Sequence, residues 1–129
     1  MIAKGTFEVK IVPLPTDVHS DMPTLGRLSL DKTFSGDLQA TSKGQMLTGM
    51  TDVKDSAVYV AIEKVSGALQ EKTGSFILHH RGIMNRGEQI LEVLIVPDSG
   101  TEEFKGISGT MKIIIDGKKH LYELEYLLV

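Results

Sequence analysis

The sequence contains no cysteine and no tryptophan, and it has only four prolines among 129 residues. The absence of cysteine excludes disulfide bonds, thiol nucleophiles and thiolate metal sites. No run approaches the ~18 apolar residues that a membrane-spanning helix needs. The first ten residues, MIAKGTFEVK, also lack the continuous apolar segment of a secretory signal peptide. We therefore expect a cytoplasmic protein with no membrane partner.

The chain has no excess of positive charge, because its formal net charge is −3 and its pI is about 5.8. It therefore lacks the basic surface that nucleic-acid binding requires. The histidines at positions 19, 79, 80 and 120 have no recognised metal-ligand spacing. Nucleotide-binding glycine motifs and a nucleophile elbow are also missing. The sequence thus predicts no nucleic-acid partner, no metal and no cofactor.

What the sequence does show is alternation of apolar and polar residues with a period of two, which is typical of β-strands with one buried face. Pro13 and Pro15 are predicted to end the first strand, and residues 14–24 to form a loop. The predicted strands cover residues 5–11, 26–33, 34–47, 57–68, 72–81, 88–96, 107–115 and 119–128.

Eight strands joined mostly by short turns predict one all-β domain over residues 1–129, either an antiparallel barrel or a sandwich. A barrel of lipocalin-like shape is favoured because closure removes exposed strand edges. Eight strands leave an interior just wide enough for side chains or one small ligand.

The fourth and fifth predicted strands carry the clearest interior face. With residues 70–71 as a two-residue turn, Glu63 lies opposite Leu78. In the same register Ala61 lies opposite His80, and side chains two positions apart share a face. This face combines apolar residues, glycines and three ionisable groups: Tyr59, Ala61, Glu63, Val65, Gly67, Gly74, Phe76, Leu78, His80 and Gly82.

The last two predicted strands form a second hairpin. Residues 116–117, Asp-Gly, are the strongest turn signal in the chain, because a type I′ turn needs positive φ at both central positions. With that turn, Ile113 lies opposite His120, and Met111 lies opposite Tyr122. The inward candidates on the last strand are His120, Tyr122 and Tyr126.

Six stretches of the chain carry a family resemblance: GTFEVK, FSGDLQATSKGQML, YVAIEKVSGAL, GSFILHHRGIM, IVPDSGTEEFKGISG and HLYELEY. Together they resemble a bacterial family catalogued as domain of unknown function 3224. The resemblance implies a barrel similar to allene oxide cyclase, without that enzyme's activity, since the family has no established function. By analogy with plant allene oxide cyclases it also suggests a homo-oligomer. His79 and Glu103 depart from the family pattern.

Glu63 and His80 are the candidate catalytic groups. A carboxylate among apolar residues is desolvated, which raises its pKa and suits a general acid or base. An imidazole titrates near neutral pH and can move a proton or orient a ligand. The alternative is structural, with both groups simply hydrogen-bonded within the core. The predicted ligand-binding residues are Phe34, Met46, Tyr59, Glu63, Phe76, His80, Met111 and Tyr122.

The segment Ser99–Glu102 is a further candidate, because a run of backbone N–H groups there could bind an anion. The alternative is a turn with capped backbone groups. It has no following helix and no lysine at the spacing of a phosphate-binding loop.

An apolar face with few convergent polar groups predicts a barrel that binds a small, largely apolar molecule in its interior. Two alternatives remain open. One is an isomerase or cyclase acting on a lipid-derived substrate. The other is a structural or interaction protein that works through an oligomeric outer surface, with a contact formed by Val58, Val60, Ile62 and Ile77.

Overall fold

The computed structural model describes residues 1–15 and 24–129 and shows a closed eight-stranded antiparallel barrel. Each strand pairs with the next, and the last pairs with the first. The strands are β1 (Ile2–Leu14), β2 (Leu25–Gly36), β3 (Leu38–Met50), β4 (Ala57–Leu69), β5 (Lys72–Asn85), β6 (Glu88–Ile95), β7 (Ser108–Asp116) and β8 (Lys119–Leu127). The predicted all-β barrel is confirmed. His19 and most of the predicted loop at 14–24 lie outside the described residues.

The one helical element of the described residues is a 3₁₀ turn at Glu102–Phe104, between β6 and β7. No helix in this part of the chain is long and apolar enough to cross a membrane.

The β4–β5 hairpin has the predicted register. Gln70 and Glu71 form its turn with φ values of 47° and 75°, as a type I′ turn requires. Glu63 pairs with Leu78, and Ala61 pairs with His80. The predicted interior face of this hairpin is therefore confirmed.

The predicted register of the β7–β8 hairpin is wrong by two residues. Its turn is at residues 117–118, so Ile113 pairs with Tyr122 and Met111 pairs with Leu124. Gly117 has a φ of 62°, whereas Lys118 has no positive φ, so only the first central position needs a glycine, as in a type II′ turn. A shift of two residues leaves every side chain on its predicted face.

Two predicted boundaries are also wrong. Phe34 lies near the end of β2 and pairs with Ala40 of β3, so it does not begin the third strand. Pro13 lies within β1 and pairs with Leu28, so it does not end the first strand. Beyond Phe7, β1 pairs with β2 alone, and a proline is tolerated on such a one-sided edge.

The two ends of the barrel differ in packing. The packed end carries the turns at 36–37 and 70–71 and the loop 96–107. The open end carries the turns at 51–56, 86–87 and 117–118. At the packed end the interior is filled by a hydrophobic core: Ala3, Phe7, Phe34, Leu38, Ala40, Val65, Leu69, Phe76, Leu78, Val93, Ile95, Phe104, Ile107, Met111, Tyr122, Leu124 and Tyr126.

The loop 96–107 replaces a missing strand along the edge of β5 at the packed end. The Ser99 hydroxyl oxygen accepts the backbone N–H of Ile77 at 3.0 Å. Thr101 Oγ1 accepts the backbone N–H of Ser75 at 3.0 Å. In the same way Glu103 Oε1 accepts the N–H of Thr73 at 3.0 Å. The side chains of this segment are thus occupied in capping backbone groups.

At the open end the wall of the barrel is incomplete. β6 and β7 share a single register pair, Leu94 with Thr110. β1 pairs with β8 only from Ile2 to Phe7, although it pairs with β2 as far as Leu14. The tip of the β7–β8 hairpin is therefore hydrogen-bonded to neither neighbouring strand. We call the resulting opening beside this tip the notch.

Candidate functional site

Four polar side chains meet in the middle of the barrel interior. Lys32 Nζ lies 2.7 Å from Glu63 Oε2, and His80 Nε2 lies 2.6 Å from the same oxygen. Ser42 Oγ donates to Glu63 Oε1 at 2.8 Å. The Glu63 carboxylate is fully buried, and its three partners are also buried. We call these residues the Glu63 cluster.

The partners of Glu63 keep its carboxylate ionised. Burial by itself raises the pKa, but the hydrogen bond from His80 and the charge of Lys32 outweigh it, and the pKa falls from 4.5 to about 2. The expected raised pKa of Glu63 is therefore wrong, because apolar neighbours alone do not decide it. An ionised carboxylate with three donors orients its neighbours and has no proton to give at neutral pH.

Lys32 and Ser42 are the members of the cluster that the candidate residues lacked, and Lys32 is the charged one. It lies on β2 opposite Ser42 of β3, which in turn lies beside β4. A lysine is rarely buried without a partner, so its type argues for the surface. The signal that could have placed it inward is its spacing, because Lys32 alternates in step with Leu30 and Phe34, which are both buried.

Aromatic rings complete the surroundings of Lys32. Its ammonium lies 5.1 Å from the centre of the Phe7 ring and 6.0 Å from that of Phe34. Ring faces carry negative charge density and stabilise a nearby cation. The Lys32 charge is therefore balanced by Glu63 on one side and by two rings of the packed core on another.

The ionised state of Glu63 fixes the hydrogen-bonding role of His80. A carboxylate accepts only, so Nε2 of His80 must carry a hydrogen and donate it. Within the described residues, Nδ1 of His80 makes no hydrogen bond, and no buried side-chain nitrogen or oxygen lacks a partner. Nδ1 therefore reaches space that solvent can enter. The arrangement is a carboxylate–imidazole pair with its second nitrogen free.

Tyr59 lies next to this imidazole, towards the open end. The ring centres of Tyr59 and His80 are 6.3 Å apart. Tyr59 pairs with Gly82 of β5, and a Cβ at Gly82 would lie 2.1 Å from Tyr59 Cε1, so its ring occupies the space that the glycine leaves. Burial and the nearby charge of Glu63 raise the pKa of Tyr59. The phenol is therefore protonated at neutral pH.

Three apolar side chains that face inward around the open end are unusually exposed. Ile11 is 48% exposed, Leu91 43% and Ile115 69%. Leu91 pairs with Gly82, and Ile115 pairs with His120, so both share the interior face. Met46, opposite Ala61, is half-buried in the same region. These residues lie on the interior face between the Glu63 cluster and the open end, and we call them the apolar cup.

The predicted ligand-binding residues divide between the two ends of the barrel. Met46, Tyr59, Glu63 and His80 lie in or below the apolar cup. The other four, Phe34, Phe76, Met111 and Tyr122, lie in the core of the packed end.

Tyr122 has a structural function at the packed end. Its hydroxyl donates to the carbonyl of Ser35 at 2.9 Å and accepts the N–H of Leu38 at 2.9 Å. These bonds fix the turn between β2 and β3, so this phenol is fully used within the protein.

A groove of about 910 Å³ lies on the outside of the barrel, across β2–β5. Its outward-facing lining includes Leu47, Val60 and Ile62, which are exposed apolar side chains. Arg27 and Arg81 also line it. The inward-facing residues that line it belong to the same strands and contribute the floor. The predicted outward orientation of Val60 and Ile62 is confirmed by the register of β4 and β5.

Comparison with known proteins places the chain among proteins whose function is unknown. The family described as protein of unknown function, DUF3224, matches residues 3–126. The crystal structure of a protein with unknown function from the same family, from Shewanella oneidensis MR-1, is similar with a TM-score of 0.94. It is 44% identical, over 100% of this chain and 97% of that one. No curated protein matches the chain.

Proposed function

The chain belongs to the DUF3224 family, for which no activity is established, and we propose from its geometry that it binds a small, largely apolar molecule in the apolar cup. The observation that carries the proposal is the contrast between the two ends of one interior. The packed end is filled by core side chains, whereas inward-facing isoleucine and leucine side chains at the open end remain in contact with water.

Exposed apolar surface inside a barrel supports this proposal energetically. Removing such surface from water is favourable by about 25 cal/mol per Å². Ile11, Leu91 and Ile115 lie on three different strands around one mouth, so one occupant could cover them together. Their arrangement as a concave surface with few polar groups below is the usual composition of a small-molecule site.

The Glu63 cluster also supports the proposal, because it places buried charged groups next to the apolar cup. Burying a lysine and a glutamate is expensive, and apolar replacements of an ion pair are often as stable or more stable. Such a cluster at the floor of a cup is where functional groups concentrate. It supplies a rigid polar floor below apolar walls.

The test is a binding titration with an environment-sensitive apolar dye, supported by native mass spectrometry of the protein as purified. Leu91→Lys places a charge inside the cup and should weaken dye binding at least tenfold. Ile90→Lys is the matched control, because the adjacent side chain points outward and is similarly exposed. Equal affinities of the two variants, or no dye binding by the parent protein, would overturn the proposal.

A second candidate function is favoured by the outer groove. Leu47, Val60 and Ile62 expose 56%, 47% and 62% of their surface on adjacent strands, and we propose that this strip is a contact between copies of the chain. Light scattering after size-exclusion chromatography should show an oligomer that Ile62→Lys dissociates. Ile114→Lys, on the outer face of β7, is the control and should leave the mass unchanged. A monomeric parent protein would exclude this contact.

A further inference from the structure

We infer that the molecule bound in the apolar cup presents a hydroxyl group, which accepts a hydrogen bond from Tyr59 and donates one to Nδ1 of His80. This inference rests on the proposed function and names the chemical class of the ligand. It begins from two polar atoms without partners in the described part of the chain, the Tyr59 hydroxyl and His80 Nδ1. Because no buried side-chain polar atom is unsatisfied there, both atoms reach accessible space.

The hydrogen-bonding role of His80 follows from the charges around it. Glu63 carries a negative charge that the Lys32 ammonium balances at 2.7 Å. A second buried positive charge would have no counter-ion within the Glu63 cluster, so the cluster is balanced with a neutral imidazole. Nε2 then holds the single ring hydrogen, and Nδ1 is an acceptor. Nδ1 of His80 therefore needs a hydrogen-bond donor from the ligand.

The hydrogen-bonding role of Tyr59 is the opposite. Its phenol is protonated, and burial together with the Glu63 charge keeps it so. A phenol O–H prefers an acceptor when it is removed from water. The packing of its ring over Gly82 holds it beside His80. The Tyr59 hydroxyl thus needs a hydrogen-bond acceptor from the ligand.

A single neutral group that both accepts and donates satisfies these two atoms, and a hydroxyl is the simplest such group. An ether or ketone accepts from Tyr59 but leaves Nδ1 without a donor. A carboxylate has no hydrogen to donate, and it would bring a negative charge close to ionised Glu63. An alkane would cover the apolar walls but leave both polar atoms desolvated without a hydrogen-bond partner, which is unfavourable. The geometry therefore selects apolar alcohols or phenols.

The experiment measures displacement of the apolar dye by three probes with the same chain: 1-decanol, its methyl ether 1-methoxydecane, and decanoate. Decanol should displace the dye with an affinity at least fivefold higher than that of the ether, which tests the acceptor on His80. Its affinity should also be higher than that of decanoate. Tyr59→Phe keeps the ring and should weaken the binding of decanol and of the ether about equally, by roughly fivefold or more.

The results that would overturn the inference are distinct from those that would overturn the proposed function. Decanoate binding more tightly than decanol, equal affinities of decanol and its ether, or no effect of Tyr59→Phe on decanol would each reject a hydroxyl ligand while cup binding stands. Loss of dye binding in Tyr59→Phe would show that the phenol is structural, and it would also reject the inference. Failure of the parent protein to bind the dye or any probe rejects the proposed function itself.

Discussion

Lys32 and Glu63 form a buried ion pair between strands that are not neighbours. Lys32 lies on β2 and Glu63 on β4, with β3 between them, and their side chains meet at 2.7 Å above Ser42. The two charges can span the intervening strand because Ser42 is small. The pair thus joins three strands at the boundary between the packed end and the apolar cup.

Breaking this pair should destabilise the protein strongly. Glu63→Gln leaves the Lys32 ammonium buried without a counter-charge, and we expect a loss of about 3–5 kcal/mol in the free energy of unfolding, measured by urea denaturation. The control is Glu92→Gln, which breaks the exposed Arg81–Glu92 pair and should cost about 0–1 kcal/mol.

A double variant separates the charge from the packing. Lys32→Met with Glu63→Leu removes both charges and keeps similar volume, so it should lose less stability than Glu63→Gln alone. A double variant as unstable as Glu63→Gln would show that the cluster contributes through hydrogen bonding and shape more than through charge balance.

The pH dependence of stability should carry the signature of Glu63. Its pKa in the folded protein is about 2, below the ordinary value of 4.5. The stabilisation is therefore fully present above about pH 4.5 and is lost as the pH falls towards 2. Each unit of pKa corresponds to about 1.4 kcal/mol, so about 3 kcal/mol is at stake. The difference in the free energy of unfolding between the parent protein and Glu63→Gln, measured by urea denaturation, should stay constant above about pH 4.5. It should shrink as the pH falls from there towards about 2.

The loop that covers the β5 edge should be sensitive at Thr101. Thr101→Val keeps the shape but removes the oxygen that accepts the Ser75 N–H, and we expect a loss of about 1–3 kcal/mol. Hydrogen exchange of the Ser75 amide should accelerate. Thr41→Val, on the exposed face of β3, is the control and should change neither quantity. Unchanged exchange at Ser75 would mean that water replaces the hydroxyl without cost.

Gly82 should tolerate no side chain while Tyr59 keeps its position. Gly82→Ala places a Cβ at 2.1 Å from the Tyr59 ring, and such overpacking costs about 1–3 kcal/mol. Gly49→Ala is the control, since its Cβ would meet only the Val58 side chain at 3.2 Å. Removing the ring with Tyr59→Ala should make Gly82→Ala nearly neutral in stability measurements. If the stability losses of Gly82→Ala and Tyr59→Ala simply add in the double variant, the proposed contact between the two positions is contradicted.

The β4–β5 hairpin shows what could be predicted from the sequence. Its alternation and its two-residue turn determine the register without reference to the rest of the barrel, and Glu63 and His80 were placed together on that basis. In the β7–β8 hairpin the turn lies at residues 117–118, one residue later than the predicted 116–117. The pairing changed, but the inward side remained because strand periodicity is two.

Lys32 shows what could not be predicted as easily. Residue type argued for the surface, and only its spacing with Leu30 and Phe34 argued for the interior. The pKa of Glu63 is lowered by His80 of β5 and also by Lys32 of β2, and this second, long-range neighbour could not be identified from β4 and β5 alone. The difference between a packed end and an open end is also a property of all eight strands, and local alternation is the same at both ends.

The single register pair between β6 and β7 has a consequence for how the barrel opens. Seven of the eight strand pairs are joined over several residues, whereas this one is joined at Leu94 and Thr110 alone. Local unfolding follows the places with the fewest hydrogen bonds. The β7–β8 hairpin would therefore separate from β6 as a flap that stays attached through β1, which widens the cup without disrupting the packed end. A bulky ligand could enter the barrel through this seam while the remaining strand pairs stay intact.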